Sequence, residues 1–329
     1  MRIIGLEEHF VTEEALRAWR ALDPTWQDIA LKAAEEGEPA RRLAELGAGR
    51  FAAMQQAGLD VQVLSLTAPG LQNLAPDRAV ALQTAANDQL AEVVRAHPER
   101  LQGLATLATP APAAAARELE RAVTKLGLNG AMLFGRTRAR NLDHPDFWPI
   151  FEAAQALSAP LYLHPQSPLP AVRAAYYSGF NDELDAAFAT HGIGWYYETG
   201  VQLLRLILGG VFDRFPDLQV IVGHWGEVVL FYLDKLDAFA QETKLARPFS
   251  DYFRRNVYVT PSGLLSQRSL RWAIELVGVE RIMFSTDYPF VPVAPGGCRR
   301  FLEESSLSPA DREKIGSGNW DRLCAGIRR

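Results

Sequence analysis

Glu7, Glu8 and His9 follow the apolar run Ile3 to Leu6 near the N-terminus. A run of that length reads as a buried strand, and side chains alternate along a strand with period two. Glu7 and His9 therefore turn toward one point at the strand's exit, while Glu8 points the other way. Three more apolar runs end in similar groups. Leu161-Tyr162-Leu163 leads into His164, Val220-Ile221-Val222-Gly223 into His224, and Met283-Phe284-Ser285-Thr286 into Asp287. Nitrogen and oxygen donors delivered by separate strand ends are what a divalent metal centre needs. Glu7, His9, His164 and Asp287 supply two carboxylates and two imidazoles, leaving coordination positions for substrate or water. The set suits Zn²⁺ or Mn²⁺, and Mg²⁺ less well. His224 is kept apart as a proton-transfer group. In His224-Trp225-Gly226-Glu227 the carboxylate falls three residues on, in the first turn of the next helix, where it can hydrogen-bond the imidazole and raise its basicity. Each residue alone also has an ordinary reading, as a loop histidine, a helix N-cap or a charge at a helix N-terminus.

The elements that must position these groups can be read along the chain. Eight strand-like runs occur: Ile3–Leu6, Val61–Leu66, Leu101–Leu107, Ala131–Phe134, Leu161–Leu163, Leu218–Val222, Val257–Thr260 and Ile282–Ser285. Most are continuously apolar, as parallel strands covered on both faces are. Helix-like stretches separate them, among them Asp77–Ala96, Ala113–Leu126, Asp146–Leu157, Thr199–Leu208, Glu227–Phe239 and Ser266–Val277. Eight alternations predict an α/β fold, a single (β/α)₈ barrel over residues 1–329. A doubly wound open sheet is the alternative, weakened because no Gly-x-Gly-x-x-Gly turn follows the first strand. In a barrel the five groups share the rim at the strands' C-terminal ends. The longest gaps follow strands one and five, and are read as insertions beside that rim.

Composition narrows the function further. The chain has 329 residues, 48% hydrophobic and 22% charged, with a net charge of −5. No basic field is available for a phosphate backbone, so nucleic acid is not expected as a partner. Cys298 and Cys324 show no metal spacing and fit a reducing compartment. No signal peptide is apparent and no apolar run approaches the ~20 residues that span a bilayer, so a cytoplasmic protein is expected, with no membrane partner.

Four segments carry a family resemblance: Leu6-Glu7-Glu8-His9-Phe10, Leu163-His164-Pro165, Gly223-His224-Trp225-Gly226-Glu227 and Ser285-Thr286-Asp287-Tyr288-Pro289-Phe290. In this order they resemble the metal-dependent decarboxylase branch of the amidohydrolase superfamily, the branch of γ-resorcylate and 2,3-dihydroxybenzoate decarboxylases. The likeness runs to about Leu323. It implies a distorted barrel with one divalent metal on Glu7, His9, His164 and Asp287, and no organic cofactor. It implies non-oxidative decarboxylation of a small hydroxylated aromatic, or unsaturated, carboxylic acid. Asp287 resembles the residue that delivers the proton, with His224 and Glu227 behind it as a relay. Relatives often carry an Arg at the position of Arg50, and some use it to hold a substrate carboxylate; a helix-surface ion pair is the other reading. Where the resorcylate and dihydroxybenzoate enzymes tend to carry an Asn at the end of strand four, this chain has Phe134. Phe10, Phe134, Trp225, Tyr288 and Phe290 are read as an aromatic wall around a flat substrate. Relatives are commonly dimers or tetramers, which implies a homo-oligomer, with the insertion after strand one as a contact arm. Two alternatives remain: a hydrolase such as a lactonase, in which metal-bound water attacks a carbonyl, and a binding barrel without turnover.

Overall fold

The computed structural model describes residues 1–329. Its strands are β1 (Ile4–Phe10), β2 (Val61–Leu66), β3 (Leu101–Gly103), β4 (Ala105–Thr106), β5 (Ala131–Phe134), a short hairpin of β6 (Arg136–Thr137) and β7 (Arg140–Asn141), then β8 (Leu161–His164), β9 (Val220–Val222) and β10 (Val257–Val259). Apart from the antiparallel hairpin, every pairing is parallel: β1 with β2, β2 with β3, β4 with β5, β5 with β8, β8 with β9 and β9 with β10. Leu104 separates β3 from β4, but its N–H still donates to Leu64 O at 2.8 Å. Where the ladder lapses, the helix Pro76–Ala96 takes over. Asn87 accepts from Thr106 N and donates to Thr106 O, and Gln83 accepts from Ala108 N. Buried backbone groups are thus paired by side chains where no strand reaches them.

The run expected as the last strand, Ile282–Ser285, is bridged on both sides rather than built as a regular strand. Met283 N donates to Val259 O at 3.0 Å, and Leu6 N donates to Phe284 O at 3.0 Å. Further on, His9 N donates to Tyr288 O at 2.8 Å. The chain between 282 and 288 therefore lies beside both β10 and β1.

The core has two parts. The smaller cluster takes inward side chains from successive strands, including Ile4, Leu6, Val61, Val63, Met132, Tyr162, Ile221 and Tyr258, with Met283 and Trp320. The larger one packs the outward side chains against the helices. Helix ends follow the sequence signals closely. Thr12, Asn181, Ser266 and Ser308 cap helices through their side chains, and Pro76 and Pro112 open two others at the first helical position. No helix is long and apolar enough to cross a membrane.

Two local expectations need correction. Glu7, Glu8 and His9 lie within β1, which runs on to Phe10, rather than beyond its exit. The β1–β2 register slips between Gly5 and Glu8, a bulge that re-aims the following side chains. Gly5 permits it, because a Cβ there would meet Glu8 Oε1 at 2.2 Å. Glu227 does not begin a helix. His224, Trp225, Gly226, Glu227 and Val228 all have positive φ, from 48° to 89°, and the regular helix starts only at Leu233. Such a left-handed turn costs ~1–2 kcal/mol for each non-glycine residue, so only tertiary contacts can impose it.

Candidate active site

Glu7, His9, His164 and Asp287 converge, with ligand atoms all within 4.8 Å of one another. β1 supplies two of them, β8 the third, and the segment after Ser285 the fourth. Glu7 is fully buried, and its Oε2 accepts from Tyr162 OH at 2.7 Å and from Ser262 Oγ. Its Oε1 has no hydrogen-bond partner and lies 3.3 Å from His164 Nε2. His164 Nδ1 faces Pro165 O at 2.8 Å, which fixes the tautomer and leaves Nε2 a lone pair directed at Glu7. Burial, reinforced by His9, holds the His164 imidazole well below its ordinary value, so it is neutral. His9 Nδ1 meets Ser65 Oγ at 3.3 Å, while Nε2 lies 3.3 Å from Asp287 Oδ1 without an aligned hydrogen bond. Two buried, unpartnered donor atoms facing nearby donors of the same cluster fit a divalent cation, which would satisfy both at once.

Glu8 faces away from this cluster and holds its far side. Its carboxylate accepts from Thr286 N at 2.8 Å, Thr286 Oγ1 at 2.6 Å and Gln62 Nε2 at 3.1 Å. The residue it grips immediately precedes Asp287, which sits at φ 56°.

Arg50 needs a correction on both of its readings. It reaches neither the cavity nor the surface, being fully buried. Its Nη2 donates to His9 O at 2.7 Å and to Arg42 O at 3.2 Å. Nη1 donates to Gln62 Oε1 at 3.0 Å, and Nε to Glu45 O at 2.8 Å. The guanidinium also covers the Tyr288 ring at 4.7 Å. Burial draws Arg50 down to about 10, against the opposing pull of Tyr288, Glu8 and Glu45, so it stays charged at neutral pH. It braces the backbone behind His9.

His224 and Glu227 form a tight pair, Nδ1 to Oε1 at 2.9 Å. Burial pulls the imidazole down, but Glu227, Glu7 and Asp287 outweigh it and push it up to about 9. The left-handed turn makes this contact by bringing the carboxylate back under the ring. Ser262 Oγ accepts from His224 N, and Thr260 O accepts from Trp225 N, fixing the turn to the strand next to it.

His164, His224 and Asp287 line a cavity of about 400 Å³. Its other walls come from Ala30 and Ala33 between β1 and β2, from Thr67 and Ala68 after β2, and from His191, Trp195 and Tyr196 of the long segment after β8. Pro165, Phe290 and Val291 complete it. The segment between β1 and β2 thus contributes two alanines to the cavity wall. A larger, more open recess of about 860 Å³, between Trp26, Pro112 and Arg138, lies apart from these donors.

The aromatic wall also needs correction. Of the five rings expected, only Phe290 faces the cavity, and it lies 5.7 Å from the His9 ring. Phe134 stands behind His164, edge to face at 5.1 Å, in space kept open by Gly70, where a Cβ would meet the ring at 2.3 Å. Phe10 belongs to the core, Tyr288 underlies Arg50, and Trp225 donates through Nε1 to Leu264 O. Trp195 and Tyr196 do the facing instead, with the Tyr196 ring 4.5 Å from that of His224. These two, with Tyr162, Ser262 and Thr67, escape a sequence reading because a tyrosine in an apolar strand looks like core. Thr67 and Ser262 lie in loops and bear no periodicity, while Trp195 and Tyr196 open the helix Gly194–Leu208, whose sequence pattern is evident only from Thr199 on.

The sequence profile of the amidohydrolase family matches residues 9–323. A γ-resorcylate decarboxylase of Polaromonas sp. is 38% identical over 336 residues, covering 97% of either chain. Among solved structures, 5-carboxyvanillate decarboxylase from Sphingomonas paucimobilis superimposes with a TM-score of 0.89 at 36% identity, over 98% of this chain and 99% of that one. A dihydroxybenzoic acid decarboxylase from Polaromonas sp., holding manganese and the inhibitor 2-nitroresorcinol, gives a TM-score of 0.85 at 36% identity, over 98% of this chain and 97% of the other. By sequence and by structure, this chain belongs to the amidohydrolase family.

Proposed function

We propose that this protein is a metal-dependent carboxy-lyase that removes CO₂, without oxidation, from a small hydroxylated aromatic carboxylic acid. The observation that carries it is one cavity lined by His164 and Asp287 of the four-donor cluster and by His224, the partner of Glu227. The relatives named above are decarboxylases, which favours protonation of carbon over attack by water on a lactone or other ester. The fold that serves this is read as a closed, distorted (β/α)₈ barrel forming one domain, with insertions after its first and fifth strands. The parallel pairings, and the 282–288 segment lying between β10 and β1, support that closure.

Glu7, His9, His164 and Asp287 are assigned as ligands of one divalent ion, Mn²⁺ or Zn²⁺. When bound, the ion would anchor the substrate's carboxylate and ortho oxygen and balance their charge. The chain's own groups do the rest. Phe290, Trp195 and Tyr196 hold the ring and exclude water. Direct loss of CO₂ would leave an unstabilised carbanion in the ring plane. Asp287, on the cavity wall, instead delivers a proton to the carbon bearing the carboxylate, making that carbon tetrahedral. His224, kept protonated by Glu227, restores the proton to Asp287. The C–C bonding pair then returns to the ring, CO₂ leaves and aromaticity is regained, for a net exchange of one carboxylate and one proton for CO₂ and C–H. A cytoplasmic homo-oligomer is part of this reading; the exposed Tyr176, Phe180 and Leu184 of the segment after β8 support a subunit contact there.

The test is purification with Mn²⁺ followed by assays of CO₂ release from a panel of hydroxybenzoates and of ring opening on a panel of lactones. Release of CO₂ from at least one ring acid, dependent on the metal, is the expected result. Lactone opening without CO₂ release would replace this reading by the hydrolase. Turnover of neither, with metal bound below stoichiometry, would favour the binding barrel.

A further inference from the structure

Glu8 is fully buried and lies outside both the donor cluster and the cavity wall. A carboxylate so placed is stable only where donors meet it. Thr286 provides two, its main-chain N–H to Oε1 and its hydroxyl to Oε2, and Gln62 provides a third through Nε2. Gln62 is held in turn by Arg50, whose Nη1 donates to Gln62 Oε1 while its Nη2 donates to His9 O. The chain His9–Arg50–Gln62–Glu8–Thr286 thus runs behind the site, from one assigned ligand to the residue before another. None of its members is more than 3% exposed. Thr286 is held through main chain and side chain together, so it cannot turn as a unit. On the other side of Asp287, Tyr288 O accepts from His9 N at 2.8 Å. Asp287 is the one residue between these anchors. It sits at φ 56°, in a left-handed conformation that a non-glycine residue keeps only when its neighbours impose it. Its carboxylate belongs both to the donor cluster and to the cavity wall, so a small backbone change there would take it from one or the other.

Resting on the decarboxylase reading, we infer that Glu8 is a positioning residue for the reaction: its two-point hold on Thr286 fixes the Asp287 backbone and keeps the Asp287 carboxylate between the donor cluster and the substrate carbon that it protonates. Glu8 touches neither substrate nor ligand atoms and acts through Asp287. The hold needs an acceptor at both oxygens, because all three neighbours donate. Glutamine in place of Glu8 sets an amide NH₂ against one of those donors. If Gln62 becomes glutamate at the same time, that NH₂ gains an acceptor at position 62, and Arg50 keeps one.

Three variants test this: Glu8→Gln, Thr286→Val, and the exchange of Glu8→Gln with Gln62→Glu. CO₂ release from the best hydroxybenzoate of the panel gives kcat and KM, and calorimetry on chelated protein gives the Mn²⁺ affinity. Glu8→Gln should lower kcat about 100-fold, leave KM within about twofold and weaken Mn²⁺ about tenfold. Thr286→Val, which loses the hydroxyl bond and keeps the main-chain one, should lower kcat about tenfold at the same KM. The exchange should return kcat and Mn²⁺ affinity to within about fivefold of wild type. If Glu8→Gln fails to fold, Thr286→Val decides alone. Unchanged kcat, a loss carried by KM, or an exchange no better than the single variant would overturn the inference and leave decarboxylation intact. A wild type that releases no CO₂ would overturn the decarboxylase reading instead. The Mn²⁺ affinities then judge Glu8 by themselves: weakening that the exchange reverses upholds its grip on Asp287, and equal affinities refute it.

Discussion

Replacing Arg50 by methionine separates two roles that the sequence could not. Methionine matches the length of the buried stem but donates no hydrogen bond. Four acceptors lose their donor: the carbonyls of Glu45, Arg42 and His9, and the Gln62 amide oxygen. Those of His9 and Gln62 are fully buried, where an unsatisfied group costs ~1–3 kcal/mol. The other two are partly buried and can recruit water. The contact over Tyr288 adds ~0.5–2 kcal/mol. The expected net loss is about 4 kcal/mol. Unfolding entropy is ~2.1 cal/mol/K per residue, and over 329 residues that loss lowers Tm by about 6 °C. Differential scanning calorimetry of the metal-loaded protein reads this directly. If the guanidinium held the substrate instead, Tm would stay within about 1 °C and KM alone would rise, by ~100-fold for a lost charge-assisted pair. That second pattern would refute the placement of Arg50 as a brace.

The other predictions concern the centre itself. Asp287→Asn should abolish turnover and weaken metal binding, since Asp287 is assigned both tasks; near-normal turnover would end the mechanism. His224→Ala should keep the metal, measured by inductively coupled plasma spectrometry, and lose activity. Metal lost along with activity would make His224 a ligand. Chelation should lower Tm, and Mn²⁺ at about 100 times its Kd should restore ~2.7 kcal/mol by mass action; a Tm indifferent to both would remove the case for a metal. Because the folded-state value of His224 is raised to about 9, the His224–Glu227 pair stabilises fully below the ordinary value near 6.5. Its contribution fades as pH climbs through 9. In chelated protein, the Tm gap between wild type and Glu227→Gln should therefore shrink from pH 6 to pH 10, and a constant gap would count against the pair.

What the sequence made legible was local. Apolar runs of three to seven residues revealed the strands, and the groups in or after them revealed Glu7, His9, His164, His224 and Asp287, because strand ends share one rim in a (β/α)₈ architecture. What it hid depends on partners distant in sequence. Arg50 looks like a surface helix residue until β1 and Gln62 arrive to receive its donors. Phe134 looks like a pocket wall because nothing in Ala131–Phe134 indicates that Gly70 has left room for the ring behind His164. The position of Glu7-Glu8-His9 inside β1 follows from a bulge, and a one-dimensional pattern does not count register. Thr67 sits in a loop, and Trp195 and Tyr196 lie in the first turn of the helix Gly194–Leu208, ahead of the stretch whose apolar pattern marks it as a helix.

The left-handed turn at His224–Val228 connects these lessons to function. Four of its five residues are not glycine, so at ~1–2 kcal/mol each the backbone bears a strain of several kcal/mol. A right-handed first helical turn at Glu227, as the sequence suggested, would avoid that strain but would present Glu227 on a different side of the imidazole. The fold is arranged around the strained form. Gly200 lacks the Cβ that would meet Glu227 O at 2.5 Å, and Gly223 lacks one that would meet Ser262 Oγ at 2.4 Å and Glu7 Oε2 at 3.0 Å. Ser262 contacts both sides of the site, accepting from His224 N and donating to Glu7. The proton relay and the candidate metal ligand are therefore set by the same hydroxyl, and the tertiary contacts that outweigh the strain in the turn keep the charged imidazole against its carboxylate.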